Sequence, residues 1–182
     1  MNLPLKTRIA LWWGRRRKDS FINPNLLLGK ENYPFSNFLI LLPKSPESSR
    51  AARMFTQSLQ NAIGPQGHTQ VRYIAKRINL EYVDTSINDR LITYSDEHIN
   101  RWGLPEQSLL EIIFVSKPEV VIDLNLEFDP VSAAIVQQSS APMRIGFYNE
   151  ENEKYFNILI DRNENEFIEN GYKKIQQLLG LA

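Results

Sequence analysis

Short apolar runs with the character of buried strands alternate with segments of helical periodicity along most of this chain. The run "SNFLILLP" is continuous and apolar, as expected of a strand covered on both faces. The next segment starts at Ser45-Pro46, a pair that suits a helix start, and stops at Gly64-Pro65. Within it, apolar residues recur at helical spacing, at Ala52, Phe55, Leu59 and Ile63. A strand followed by an amphipathic helix is the repeating unit of an α/β fold.

The alternation of strands and helices continues along the rest of the chain. Further strands are predicted in "TQVRYIAKR", "DRLITYSD", "EVVIDLN", "MRIGFYN" and "YFNILID". Helices are predicted from near Pro105, from Asp129-Pro130 and over "NENEFIENGYKKIQQLLGLA". The residues predicted to share one face of each helix are Leu109, Ile112, Ile113 and Ser116, then Val131, Ala134, Ile135 and Gln138, then Phe167, Ile168, Tyr172, Ile175, Leu178 and Leu179. We therefore expect a three-layer α/β domain with a mostly parallel sheet at residues 36–182, preceded by a basic arm at residues 1–35.

The composition excludes several classes of function. The chain has 21 Lys and Arg against 21 Asp and Glu, so it is a poor candidate for nucleic-acid binding over its whole surface. It has no cysteine, which excludes disulfides, thiolate zinc sites and a cysteine nucleophile. Its two histidines, His68 and His98, lack the spacing of a metal motif. The sequence thus predicts no metal site and no cofactor.

The basic arm has two main interpretations. Residues 1–32 hold seven basic side chains against two acidic ones. Because Trp favours the membrane interface and clustered cations attract anionic lipid, one hypothesis is peripheral membrane contact. The residues concerned are Trp12, Trp13, Arg15, Arg16, Arg17 and Lys18. The other hypothesis is a helix that docks Leu11 and Trp12 on its own domain, and nucleic-acid binding by the arm is a third.

Membrane insertion of a whole segment is not predicted. A transmembrane helix needs about 20 consecutive apolar residues, and the apolar runs here are far shorter. We therefore expect a cytoplasmic protein, peripheral at the inner face of the membrane if the arm binds lipid.

The first candidate ligand site follows the first predicted strand. Ligands of open parallel sheets bind beyond the carboxyl ends of the strands, and a helix N-terminus there presents free N–H groups. The side chains that could hold a phosphate at this turn are Lys44, Ser45, Ser48, Ser49 and Arg50. The turn has no glycine-rich phosphate loop, and simple helix capping is the alternative.

The second candidate site follows the strand in "EVVIDLN". Asp123, Asn125, Glu127 and Asp129 could serve acid–base chemistry or bind a cation. Asp129 is explained equally well as a helix cap, and Asp123 could hold a neighbouring loop. The third cluster, at residues 96–98, pairs carboxylates with His98, a combination that is common by chance. No GxSxG elbow is present.

The stretch "VVIDLNLEFDPVSAAIVQQSSAPMRIGF" resembles the bacterial heptosyltransferase family, the ADP-heptose:lipopolysaccharide heptosyltransferases of glycosyltransferase family nine. Members commonly show a "DLVIDLQG…SALLARLSGAPRRIGF"-like stretch in their N-terminal half. The matching positions here are Val121, Ile122, Asp123, Leu124, Ser132, Ala133, Ala141, Pro142, Arg144, Ile145, Gly146 and Phe147. The resemblance implies a Rossmann-like domain similar to the acceptor-side half of a two-domain GT-B enzyme, and a place in lipopolysaccharide biosynthesis.

The chain departs from the family pattern at the turn after the first strand. The family's "GD…TP" turn supplies its proposed catalytic Asp, whereas here the turn is "PKSPESS", and Asn125 stands where the family usually has Gln. No donor domain follows Ala182, so we expect no transferase activity and no catalytic residue in the chain alone.

Three hypotheses follow for the function. The first is a non-catalytic relative of the acceptor-side domain that binds a partner protein or a glycan or lipid acceptor. The second is half of a split glycosyltransferase, completed by another subunit. The third is an unrelated small-molecule-binding module with a Rossmann-like fold. The sequence leaves the oligomeric state open.

Overall fold

A computed structural model describes residues 3–17, 36–63, 69–162 and 167–179, with the side chains of residues 15–17, 63 and 82 left out. Its centre is a six-stranded, all-parallel sheet with the strand order β3-β2-β1-β4-β5-β6. The strands are β1 (Asn37–Leu41), β2 (Gln70–Lys76), β3 (Leu91–Tyr94), β4 (Val120–Asp123), β5 (Met143–Phe147) and β6 (Ile158–Ile160). This order is that of a Rossmann-like fold, so the predicted α/β class is confirmed.

Helices cover both faces of the sheet. They are α1 (Leu5–Arg17), α2 (Ser49–Ile63), α3 (Gln107–Phe114), α4 (Pro130–Gln138) and α5 (Ile168–Leu178). Short 3₁₀ helices span Pro46–Ser48, Arg77–Tyr82, Thr85–Arg90, Asp96–His98 and Asn152–Lys154. Helices α2 and α5 pack on one face, and α1, α3 and α4 contribute to the core of the other.

The two central strands explain the continuous apolar runs of the sequence. In β1, Phe38 and Ile40 belong to the core under α2 and α5, whereas Leu39 and Leu41 belong to the opposite core. Strand β4 alternates in the same way and is buried along its whole length. Because both faces are covered by helices, both strands are apolar except at one end, where β1 begins with Asn37 and β4 ends with Asp123.

Three details of the predicted helix stripes are wrong. Ile112 is 53% exposed and Leu110 is buried instead, because α3 turns the face of Leu109, Leu110 and Ile113 toward the sheet. Gln138 is exposed at the end of α4. Phe167 precedes α5 and is 80% exposed, so the stripe of that helix starts at Ile168.

The start of the second predicted helix also differs from expectation. Ser45 occupies the cap position before the 3₁₀ turn Pro46–Ser48, but its side chain accepts no capping hydrogen bond. The hydroxyl of Ser49 instead donates to the carbonyl of Pro46 at 2.5 Å. The tight 3₁₀ turn that begins at Pro46 therefore replaces the expected side-chain cap.

Helix α5 is tied to the end of β4 by one buried hydrogen bond. The hydroxyl of Tyr172 donates to the carbonyl of Leu124 at 2.7 Å, and the Tyr172 ring packs against Phe55 and Phe147. Burial raises the pKa of this hydroxyl, which keeps it in the neutral, donating form.

Removal of this hydroxyl should destabilise the fold. Tyr172→Phe leaves the ring in place but deprives a buried carbonyl of its donor, so we expect a loss of about 1–2 kcal/mol in the free energy of unfolding. Urea denaturation measures this change. The matched variant Tyr148→Phe, at a side chain that is 51% exposed, should change stability far less. Equal effects of the two variants would contradict the role assigned to the buried bond.

Candidate functional site

The strand order reverses between β1 and β4, and polar side chains meet at the carboxyl ends of these two strands. Asp123 is the last residue of β4, and Asn125 follows it in the loop. Lys44 lies in the turn after β1, and Asp129 and Ser132 lie at the start of α4. This is the crevice where open α/β sheets bind their ligands.

Hydrogen bonds join these side chains into one network. Asp123 Oδ1 accepts from the backbone N–H of Asn125 at 3.0 Å and from its side-chain Nδ2 at 2.7 Å. Asn125 Nδ2 also donates to the hydroxyl of Ser132 at 3.2 Å, and its Oδ1 accepts from the backbone N–H of Lys44 at 3.0 Å. The network therefore links the end of β4 to the turn after β1.

The ammonium group of Lys44 is paired within the same network. Its Nζ lies 2.5 Å from Asp129 Oδ1 and 5.9 Å from the centre of the Tyr94 ring. The other oxygen of Asp129 accepts from the backbone N–H of Ser132 at 2.8 Å, so Asp129 caps α4 as the sequence indicates. Burial, with the negative charges of Asp129 and Asp123 nearby, raises the pKa of the Tyr94 hydroxyl.

Burial also raises the pKa of Asp123, to about 7. The two hydrogen bonds from Asn125 and the charge of Lys44 oppose this shift, whereas Asp129 adds to it. The carboxyl group can therefore exchange a proton near neutral pH. Its side chain is 2% exposed, so its contacts in this structure are with the protein's own groups.

The other residues of the predicted phosphate site lie apart from this network. Ser48 is 2% exposed and hydrogen-bonds with the hydroxyl of Tyr172. Ser45 and Arg50 are exposed, and Ser49 bonds to its own turn. The structure thus brings Lys44 together with Asp123 and Asn125 but turns Ser48 away from them.

The cluster at residues 96–98 forms local hydrogen bonds. The Ser95 hydroxyl lies 2.9 Å from His98 Nδ1 and donates to Glu97 Oε1 at 2.6 Å. Lys76 Nζ lies 2.8 Å from Asp96 Oδ1. Over the described part of the chain, no group of three or more His, Asp or Glu side chains is arranged to hold a metal ion.

A large cleft lies beside the network, between α1 and the loops that follow β4 and β5. Its volume is about 1090 Å³. Apolar and aromatic side chains line both walls, from α1 through Leu5, Ile9 and Trp12, and from the loop side through Leu126, Phe128 and Tyr155. The volume of about 1090 Å³ lies slightly above the range of about 300–1,000 Å³ usual for small-molecule sites.

Charged groups also line this cleft. Glu127 follows β4, Glu150 and Glu151 follow β5, and Arg8 and Lys154 are the basic members. Lys154 Nζ lies 2.8 Å from Glu151 Oε2, so one of the two cations is already paired with a carboxylate.

Asn149 in the cleft wall carries an unsatisfied donor. Its Oδ1 accepts from the backbone N–H of Asn152 at 2.8 Å. Its Nδ2 is buried and has no acceptor among the residues that the structure describes. A buried donor without a partner costs about 1–3 kcal/mol in stability.

The sequence pointed to only one side of the cleft. The position of Glu127 after a buried strand indicates a candidate residue, but no pattern in the sequence connects it with Leu5, Ile9 or Trp12. The second wall exists because α1 docks against α4, a contact between residues more than 100 positions apart. Hydrophobic periodicity carries no signal of such a contact.

Comparison with known families gives one match. A family model described as "Family of unknown function (DUF6913)" matches residues 68–178. The chain belongs to this family. The DUF6913 match spans the strands and helices from β2 to α5, so it includes Asp123, Asn125 and the loop wall of the cleft, whereas α1 and Lys44 lie before it. No curated protein and no solved structure matches the chain.

Replacement of Asp123 should change how stability depends on pH. The folded-state pKa of about 7 lies above the ordinary 3.8, so the native state binds the extra proton and stability falls as pH rises from about 4 to 7. Asp123→Asn mimics the neutral acid and keeps an Oδ1 acceptor for Asn125. We expect a flatter stability profile over this range, measured by urea denaturation at each pH.

The control for this experiment is Asp89→Asn, at an exposed carboxylate in the 3₁₀ helix Thr85–Arg90. The stability of Asp89→Asn should fall as the pH rises from about 4 to 7, as expected for the parent protein. A parent protein whose stability rises steadily between pH 4 and 7, with no difference from Asp123→Asn, would refute the raised pKa.

Proposed function

We propose that this chain is a binding domain that holds an amphipathic ligand, with a sugar-like polar head and an apolar tail, in the cleft beneath α1. The observation that carries the proposal is the mixed lining of the 1090 Å³ cleft. Apolar and aromatic groups on both walls favour a hydrocarbon portion, and a few convergent polar groups favour an oriented head.

The apolar part of the ligand would lie between α1 and the loop side of the cleft. Ile9 and Trp12 are 44% and 43% exposed, so much of their surface can still be covered by a ligand. Phe128 packs on Tyr155 with ring centres 5.8 Å apart. Covering such surfaces is favourable in proportion to the apolar area removed from water.

The charges in the cleft favour a neutral, hydroxyl-rich head over an anionic one. Three carboxylates, those of Glu127, Glu150 and Glu151, accompany two cations, and Lys154 is paired with Glu151. A phosphate would meet this excess of negative charge at a cost in energy. Sugar hydroxyls can donate to carboxylates and accept from Arg8.

The proposal agrees with the role that the resemblance to heptosyltransferases implies. The resembling stretch, residues 120–147, includes Leu126, Glu127 and Phe128 of the cleft wall. A glycan or lipid acceptor has the amphipathic chemistry that the lining suits. A split glycosyltransferase and an unrelated small-molecule module stay as predictions from the sequence.

Binding of a sugar-headed amphiphile tests the proposal. We expect n-dodecyl-β-D-maltoside, kept below its micelle concentration, to bind the full chain in isothermal titration calorimetry. Maltose alone and dodecyldimethylamine oxide should each bind at least about tenfold more weakly, because each lacks one half of the recognised structure. Phe128→Ala should weaken dodecyl maltoside binding by about tenfold through lost apolar contact.

Two further variants separate binding from folding. Glu127→Ala, at an exposed position, should reduce the preference for the maltoside head while the protein stays folded. The matched control Phe167→Ala removes an exposed phenylalanine outside the cleft and should leave binding unchanged. Equal affinity for both detergents would reject recognition of a sugar head. No effect of Phe128→Ala and Glu127→Ala would reject the cleft as the binding site.

A further inference from the structure

Helix α1 carries four large apolar side chains that are partly exposed, three of them at the cleft and Trp13 outside it. Leu5, Ile9, Trp12 and Trp13 are 71%, 44%, 43% and 57% exposed. At 3.6 residues per turn, these four positions lie within an arc of about 100°. A contiguous exposed apolar stripe of this kind is unusual on a soluble surface and marks an interaction site.

The inner face of α1 fixes the direction in which this stripe points. Leu11 is 3% exposed in the core that α1 shares with α3 and α4. Gln137 Nε2 donates to the carbonyl of Leu11 at 3.2 Å, and the Thr7 hydroxyl donates to the carbonyl of Trp102 at 2.7 Å. At Gly14, an added Cβ would lie 3.0 Å from Gln137 Oε1, so the helix lies close to α4. The stripe therefore lies on the side of α1 away from α4, with Leu5, Ile9 and Trp12 at the edge of the cleft.

The charge of α1 indicates the partner. The helix sequence LKTRIALWWGRRR holds five basic residues and no acidic one. Lys6 and Arg8 are exposed. Exposed Trp with clustered cations is the composition of helices that lie in the plane of an anionic membrane surface.

We propose that α1 lies flat on an anionic lipid surface, with Leu5, Ile9, Trp12 and Trp13 inserted at the level of the head groups. The exposed cations Lys6 and Arg8 of the same helix would interact with the lipid phosphates. Leu5, Ile9 and Trp12 also line the cleft, whereas Trp13 does not, so Trp13 distinguishes the membrane contact from ligand binding. In the part of the chain that the structure describes, no helix has the length and apolar character to cross a bilayer, so the contact is peripheral.

A second copy of this chain is a less favourable partner for the stripe than a lipid surface. In a two-fold dimer the same patch lies on both sides of the interface, so each α1 would face the other. The exposed cations Lys6 and Arg8 of each helix would then lie near the like charges of the partner. An anionic lipid surface offers an apolar region below the head groups for the stripe and negative charge for the cations.

Vesicle binding of the full chain tests this proposal. We expect binding to vesicles of phosphatidylcholine mixed with phosphatidylglycerol, and much weaker binding to phosphatidylcholine alone, measured by co-sedimentation. The tryptophan fluorescence should shift to the blue and be quenched by brominated lipid, because Trp12 and Trp13 enter the interface. Lys6→Gln should weaken binding to the anionic vesicles by about fivefold.

Trp13 separates the membrane contact from the cleft, because it lies outside the cleft lining. Trp13→Ser should weaken vesicle binding at least about tenfold and leave dodecyl maltoside binding unchanged, while Trp13→Phe should restore most of the vesicle affinity. The matched control Ile78→Ser, at a residue that is 76% exposed on the 3₁₀ helix after β2, should have no effect.

Three results would overturn the proposal. The first is absence of vesicle binding by the folded chain. The second is equal binding to anionic and zwitterionic vesicles, or equal binding by the parent and Trp13→Ser. The third is concentration-dependent self-association that Trp13→Ser abolishes without any vesicle binding, which would assign the stripe to a second copy.

Discussion

Burial of β1 and β4 on both faces is the constraint on which the rest of this structure depends. Both strands are surrounded by apolar side chains, so they require helices above and below the sheet. Polar side chains of these two strands and their loops can then come together only at the strand ends. Asp123, Asn125 and Lys44 lie at that edge, where β1 and β4 end side by side. The position of this polar network thus follows from the burial of the strands that lead to it.

The edge of the sheet divides into two regions with different chemistry. At the β1–β4 crevice, Asp123, Asn125, Lys44 and Asp129 satisfy one another, and this closes the end of the sheet. Beside it, the loops after β4 and β5 leave an open cleft under α1. A network whose members are already paired rigidifies the edge, whereas exposed apolar and carboxylate groups remain for a ligand. For this reason the proposed ligand site is the cleft and not the network.

Helix α1 connects the two proposals. Its side chains form one wall of the cleft through Leu5, Ile9 and Trp12, and the same residues belong to the exposed stripe. If α1 lies on a membrane, the mouth of the cleft lies at the lipid surface, where amphipathic molecules are concentrated. The family match at residues 68–178 covers the loop wall but not α1, so a relative that lacks this helix would lack both features.

The order and type of the main strands and helices could be predicted from the sequence, because continuous apolar runs and 3.6-residue periodicity report burial directly. The cap at Asp129 was likewise local and predictable. The tertiary structure alone decided that α3 buries Leu110 instead of Ile112, since this depends on how the helix sits on the sheet. It also decided the burial of Asp123, the pairing of Lys44 with Asp129 and the cleft beneath α1. These features join residues far apart in the chain, and no local pattern encodes such distances.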